Sequence, residues 1–164
     1  MDQLPPKMII TEADIADAET ILDLQRTCYQ SEAQLYNDFN LPPLRQTITE
    51  LRASFAGHVF LKAIIAGRIV GTVRAITEKG TCHIGRLMVL SEYQRQGIGS
   101  ALMAGIEKLF PQVERFELFT GEKSAGNLRL YERLGYQKTK RQRISDRVVL
   151  LFMEKLNDKE PLPR

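Results

Sequence analysis

Apolar positions along this chain change period several times, and each change marks an element boundary. Lys7 to Thr11 reads as a short strand. Ile15, Ala18, Ile21, Leu22 and Leu24 then recur at helical spacing behind Asp14, a capping residue, and predict a helix from Ile15 to about Gln30. Ser31 to Pro43 is polar, aromatic and proline-rich, the pattern of a loop. Thr47-Ile48-Thr49-Glu50 is a capping box that opens a second helix, with Ile48, Leu51 and Phe55 on one side and Gly57 at its end. His58 to Ile65 and Ile69 to Glu78, joined through Ala66-Gly67-Arg68, form a hairpin. Lys79-Gly80 turns the chain into a third run, Thr81 to Leu90. Ile98, Leu102, Ile106 and Leu109 restore the helical period, which Pro111 stops. Arg115 to Thr120 is a strand, a further helix ends at Gly135, and Tyr136 to Ile144 and Arg147 to Leu156 are two closing strands.

The order β-α-α-β-β-β-α-β-α-β-β combines an antiparallel meander with a strand–helix–strand crossover. That combination requires a mixed sheet in a single-domain α/β (α+β) fold. The crossover makes the strands at 82–90 and 115–120 parallel neighbours. A length of 164 residues suits one domain, with its core over about 8–156 and a mobile polar tail, 157–164. With 43% hydrophobic and 26% charged residues and no apolar run of membrane-spanning length, the composition is that of a soluble protein without membrane contact. The N-terminus lacks the apolar core of a secretory signal, and two cysteines, Cys28 and Cys82, make no disulfide framework. A reducing cytoplasm is the expected compartment.

The net charge of +3 is unevenly spread. Residues 1–57 carry 4 Lys/Arg against 9 Asp/Glu, whereas residues 121–164 carry 11 against 6. Most of these charges are solvated surface. As function, a basic C-terminal part suits a phosphate-bearing ligand and an acidic N-terminal part suits a cationic partner. The basic cluster Lys138-Thr139-Lys140-Arg141-Gln142-Arg143 contains no aromatic residue and reads as a solvated hairpin, so no nucleic-acid partner is expected. Two isolated histidines without clustered Cys or Asp make no metal site.

Candidate chemistry concentrates between the third strand of the meander and the next helix, in Val89-Leu90-Ser91-Glu92-Tyr93-Gln94-Arg95-Gln96-Gly97-Ile98-Gly99-Ser100. Free N–H groups in a helix's first turn bind anions, and Gly97 and Gly99 let a phosphate approach the backbone. A P-loop is excluded because no Gly-Lys pair precedes Ser or Thr. A dinucleotide fingerprint is excluded because Leu102 stands where its third glycine belongs. The pattern Gln94-x-x-Gly97-x-Gly99 resembles the pyrophosphate loop of the GNAT family of N-acetyltransferases. Leu130-Tyr131-Glu132-Arg133-Leu134-Gly135-Tyr136 resembles the family's later helix and its end. One departure stands out: Ser124 occupies the place, seven residues before the tyrosine, where many members carry Asn. Asn127 lies one helical turn before Tyr131, on the same face.

The resemblance implies a V-shaped splay between the two parallel central strands, with acetyl-CoA bound in it. It assigns the pantetheine arm to the backbone of Leu87, Met88 and Val89. The pyrophosphate falls to Gln94, Arg95, Gln96, Gly97, Ile98, Gly99 and Ser100. Asn127 and Tyr131 also contact the cofactor, and Tyr131 is the candidate general acid, although spacing alone reads it as a core aromatic. No carboxylate lies on the strand before the loop, so His83 becomes the candidate base, with Glu32, Glu78 and His58 behind it. Glu32 and Tyr36, in the loop after the first helix, are the candidate acceptor contacts. The implied activity is acetyl transfer to a primary amine of a small molecule or protein. The rival is a non-catalytic acyl-CoA sensor. A homodimer through the C-terminal strands follows from resemblance only.

Overall fold

A computed structural model describes residues 7–158. The N-terminal residues 1–6 and the last six, 159–164, which hold most of the tail expected to be mobile, lie outside the described residues. Strand β1 (Met8–Glu12) leads through a 3-10 turn (Ile15–Asp17) into helix α1 (Ala18–Tyr36). Helices α2 (Pro42–Arg45) and α3 (Ile48–Ser54) follow. The meander is β2 (Val59–Ile65), β3 (Arg68–Glu78) and β4 (Thr81–Val89). Helix α4 (Ile98–Lys108), β5 (Arg115–Gly121), α5 (Ala125–Arg133), β6 (Gln137–Arg143) and β7 (Val149–Leu156) complete the chain. All seven strands join one sheet in the order β1-β2-β3-β4-β5-β7-β6, antiparallel everywhere except β4–β5.

Local chemistry explains the elements. Asp14 caps the 3-10 turn, not α1 itself, and forms a reciprocal capping box with Asp17. Thr47 and Glu50 close the second box at α3, which ends at Ser54, three residues before Gly57. Helix α4 buries Leu102, Met103 and Ile106 completely, alongside Val70, Val73 and Ala75 of β3. Gly105 lets it approach Leu61 and Ile10, where a Cβ would sit 3.1 Å and 3.4 Å away.

Two expectations need correction. Ser31 to Tyr36 is the last part of α1, not loop. Its residues favour a helix as much as a loop, and burial of Ala33 and Tyr36 decides the matter; Asn37 ends the helix in the left-handed conformation (φ 50°, ψ 44°). The basic cluster is the exposed edge strand β6 itself, not a hairpin between strands. There Arg141 pairs with Glu122, Lys138 with Glu132, and Lys140 covers Phe152. Among the described residues no helix is long and apolar enough to cross a membrane.

Candidate active site

The site begins as a failure of strand pairing. Strands β4 and β5 pair only at Thr81–Arg115, Cys82–Phe116 and His83–Glu117. Beyond that point β5 stays with β7 along its whole length, from Arg115–Leu156 to Gly121–Leu150. Meanwhile β4 stays with β3 but carries an extra residue between Gly85 and Met88. Arg86 within that bulge has φ 51°, a conformation costing a non-glycine residue about 1–2 kcal/mol. The two strands therefore diverge, and the β5-facing edge of Ile84–Val89 has no strand partner. A cleft of about 1350 Å³ opens at the divergence.

One end of the cleft is a cradle of backbone N–H groups at the start of helix α4. Arg95 (φ 64°) and Gly97 (φ 81°) both take left-handed conformations and turn the chain sharply into α4. Gly97 is the helix's N-cap and offers no side-chain cap, and the first intrahelical bond is Ala101 N–H to the Gly97 carbonyl, 3.0 Å. The N–H groups of Ile98, Gly99 and Ser100 thus have no intrahelical acceptor, and no acidic residue occupies the first turn. A Cβ on Gly97 would meet nothing within 4 Å, so open space adjoins its backbone. At Gly99 a Cβ would lie 3.3 Å from Leu130 Cδ2. This glycine admits helix α5 while also lining the cleft. Gln94 donates its side-chain amide to the Val89 carbonyl at 3.1 Å and ties the loop to the strand.

Helix α5 forms a wall with Asn127, Arg129, Leu130, Tyr131 and Arg133. Tyr131 is 6% exposed and stands edge-on to Tyr136, ring centres 6.0 Å apart. Burial raises its phenol well above the usual tyrosine value, and Tyr29 and Glu32 add to the rise. Asn127 donates to Thr120 Oγ1 at 3.4 Å. Ser124 turns inward to a different task. Lys123 N–H donates to the Tyr36 hydroxyl (2.9 Å), which donates to Ser124 Oγ (2.9 Å), which donates to Glu32 Oε2 (2.7 Å). This directional chain fixes Glu32 from behind. Tyr36, 4% exposed, is an anchor more than a contact surface.

The other end is lined by Tyr29 and Glu32 of α1, Pro42 and Pro43 of α2, His58, Arg74, His83 and Arg86. His58 approaches the Ser54 carbonyl through Nδ1 at 3.1 Å, and burial, then Arg74, lower its pKa below the usual 6.5. Every residue singled out in the sequence for the site lines this one cleft, except Gln96, which is exposed outside it. Glu78 also stays outside. Sequence reading missed Tyr29, Arg74 and Arg86, because a strand arginine normally reads as solvent-facing and a bulge leaves no periodic trace. Of the eight described acidic residues before Gly57, only Glu32 and Asp38 reach the cleft. The overall acidity of that part therefore says little about the partner.

The family model for the acetyltransferase (GNAT) family matches residues 18–136, which contain the cradle, the divergence and Tyr131. The chain belongs to the GNAT family. This GNAT chain is 27% identical over 124 residues to the UPF0157 protein YqkA of Bacillus subtilis (strain 168), covering 74% of itself but only 35% of YqkA. It thus spans about a third of that relative's length. It is 26% identical over 156 residues to YyaT of the same organism, covering 91% of itself and 93% of YyaT. Its fold is that of PaiA N-acetyltransferase from Thermoplasma acidophilum, solved with coenzyme A. The TM-score is 0.78 at 16% identity, over 92% of this chain and 99% of that one. The GNAT sheet, helices and cleft are all present here, with Ser124 tied into the Tyr36–Glu32 chain.

Proposed function

We propose that the protein is an acetyl-CoA-dependent N-acetyltransferase that moves an acetyl group to a primary amine by direct attack in a ternary complex. The reading rests on one observation: an uncapped helix N-terminus and a run of unpaired strand backbone open into the same cleft as a buried tyrosine. When bound, acetyl-CoA supplies the acetyl thioester. Ile98, Gly99 and Ser100 hold its pyrophosphate through their N–H groups, with the backbone from Gln94 to Gly97 and the charge of Arg95 beside them. Leu87, Met88 and Val89 offer free backbone to the pantetheine arm, and an N–H near Val89 polarises the thioester carbonyl. Asn127 and Tyr131 border the arm from α5.

His83 receives the proton that the amine gives up, and Tyr131 returns one to the departing sulfur. The C–N bond forms, the C–S bond breaks, and the net proton transfer is from amine to thiolate. Glu32, held by Ser124, faces the amine. The two unpaired thiols, Cys28 and Cys82, agree with a cytoplasmic location, which we also infer.

The test is release of free coenzyme A from acetyl-CoA against polyamines, aminoglycosides, amino acids and N-terminal peptides, with Tyr131→Phe in parallel. Release with one amine class, lost in the variant, is the expected result. Calorimetric binding of acetyl-CoA without release from any amine, and without effect of Tyr131→Phe, would favour an acyl-CoA sensor.

A further inference from the structure

Two arginines share the acceptor end of the cleft, and among the described residues neither has a carboxylate partner. Arg74 sits in β3 opposite Gly85, and Arg86 sits in the adjacent bulge of β4. Both side chains are half-buried and line the cleft. Among the described residues neither forms an ion pair, whereas Lys62 and Lys155, also partly buried, are each matched by an acid at 2.8 Å and 2.7 Å. The partner of Arg86 is neutral: its Nη1 donates to Gln46 Oε1 at 3.4 Å. Gln46 is itself set by Gln25, which is 1% exposed and donates to Gln46 Oε1 (2.9 Å) and to the Pro43 carbonyl (2.8 Å). Burial lowers both guanidinium pKa values, that of Arg74 to about 10, and the two charges repel. Two like charges in a half-dry site are costly until an anion joins them.

The phosphate cradle does not provide that anion. Three residues of strand, about 10 Å, separate Arg86 from the end of β4 at Val89, and the cradle begins beyond it. The same cleft holds two acids, Glu32 and Asp38, and it is the charge of Glu32 that acts together with those of Arg74 and Arg86 on the Tyr29 hydroxyl.

We infer that the acceptor is a small amine that also carries a carboxylate. Arg74 and Arg86 bind the carboxylate, and Glu32 and Tyr29 receive the amine on the side of Tyr131. A guanidinium matches a carboxylate through two parallel hydrogen bonds, which makes it the natural reader of such a group. This inference rests on the transferase reading for turnover, but the anion site is testable without it.

The experiment compares amino acids with their carboxamides, a phosphorylated amine and a polyamine, in coenzyme A release and in thermal shift, for wild type, Arg74→Gln, Arg74→Lys and Arg86→Gly. Glycine is chosen at 86 because φ 51° suits it, so loss of fold does not confound the result. Wild type is expected to favour acid over carboxamide by about 10–100-fold in kcat/KM. Each of Arg74→Gln and Arg86→Gly should raise the acceptor KM by about tenfold or more and level that preference, leaving the KM for acetyl-CoA unchanged. Arg74→Lys should restore part of the preference. A preference for the polyamine, or for the phosphorylated amine over the amino acid, overturns the inference, as does an acid preference that survives both arginine variants. If no amine turns over, an arginine-dependent thermal shift by the amino acid but not its carboxamide upholds the anion site, and the transferase reading fails alone. Absence of both turnover and shift overturns the inference.

Discussion

Tyr131 combines a buried ring with a hydroxyl on the cleft, and burial keeps its proton in place. Tyr131→Phe retains the ring packed on Tyr136, so folding should be preserved while kcat falls by about 10²–10⁴-fold in steady-state assays. Its pKa lies above the usual value of 10, so the pH–rate profile should show no falling limb from this group up to pH 10. A fall at lower pH that vanishes in Tyr131→Phe would contradict the assignment. His58 titrates in the other direction. Its folded pKa is depressed below 6.5, so on acidification the unfolded chain takes up the proton first. The stability it contributes is complete above 6.5 and is lost as pH falls through the depressed folded value. Thermal melts of His58→Asn should show a shallower decline of Tm below pH 6.5 than wild type. Tyr131 was legible at this scale because its motif is contiguous. Arg86 was not, because the bulge that turns it into the cleft arises from pairing with β3.

At the scale of elements, function lies in ends and interruptions: the uncapped start of α4 and the divergence of β4 from β5. A side chain at Gly97 must accept φ 81°, costing about 1–2 kcal/mol. Gly97→Ala should show that loss in denaturant melts and still bind acetyl-CoA. Gly97→Glu adds a carboxylate beside the orphan N–H groups and should abolish calorimetric binding. Amide exchange provides the complementary measurement. Addition of coenzyme A should slow exchange at Leu87–Val89 and Ile98–Ser100 while β1 and β2 stay unchanged, and uniform protection would argue against these amides as the ligand contacts. The element order was readable because strand and helix periods alternate cleanly. The length of α1 was not: Ser31–Tyr36 is polar enough for a loop, and only its packing under Gly121 and Ser124 makes it helical.

Across the whole molecule, Tyr36 joins the end of α1 to the β5–α5 turn, nearly ninety residues further along the chain. Its ring lies over Gly121, where an added Cβ would overlap the Tyr36 hydroxyl. Gly121→Ala should therefore destabilise the protein by about 1–3 kcal/mol, read as a lowered midpoint in urea. It should also raise the acceptor KM, since Glu32 loses its support. Tyr36→Phe keeps the ring and breaks only the hydrogen-bond chain, so its cost should be nearer 1 kcal/mol. Equal costs for the two would show that the ring's seat on Gly121 matters little.

The one-dimensional pattern determined the order of the strands and of the longer helices, the crossover, the presence of a helix after the glycine loop and the family resemblance. Each of these is written in residues a few positions apart, where periodicity, capping and glycine conformation act locally. The charge of the cleft was decided by the tertiary structure alone. It depends on which side chains a bulge, a register and a buried helix end bring together from distant segments. Net charge along the chain pointed to a cationic partner, whereas folding keeps most of the described acids out of the cleft and brings Arg74 and Arg86 into it with Glu32.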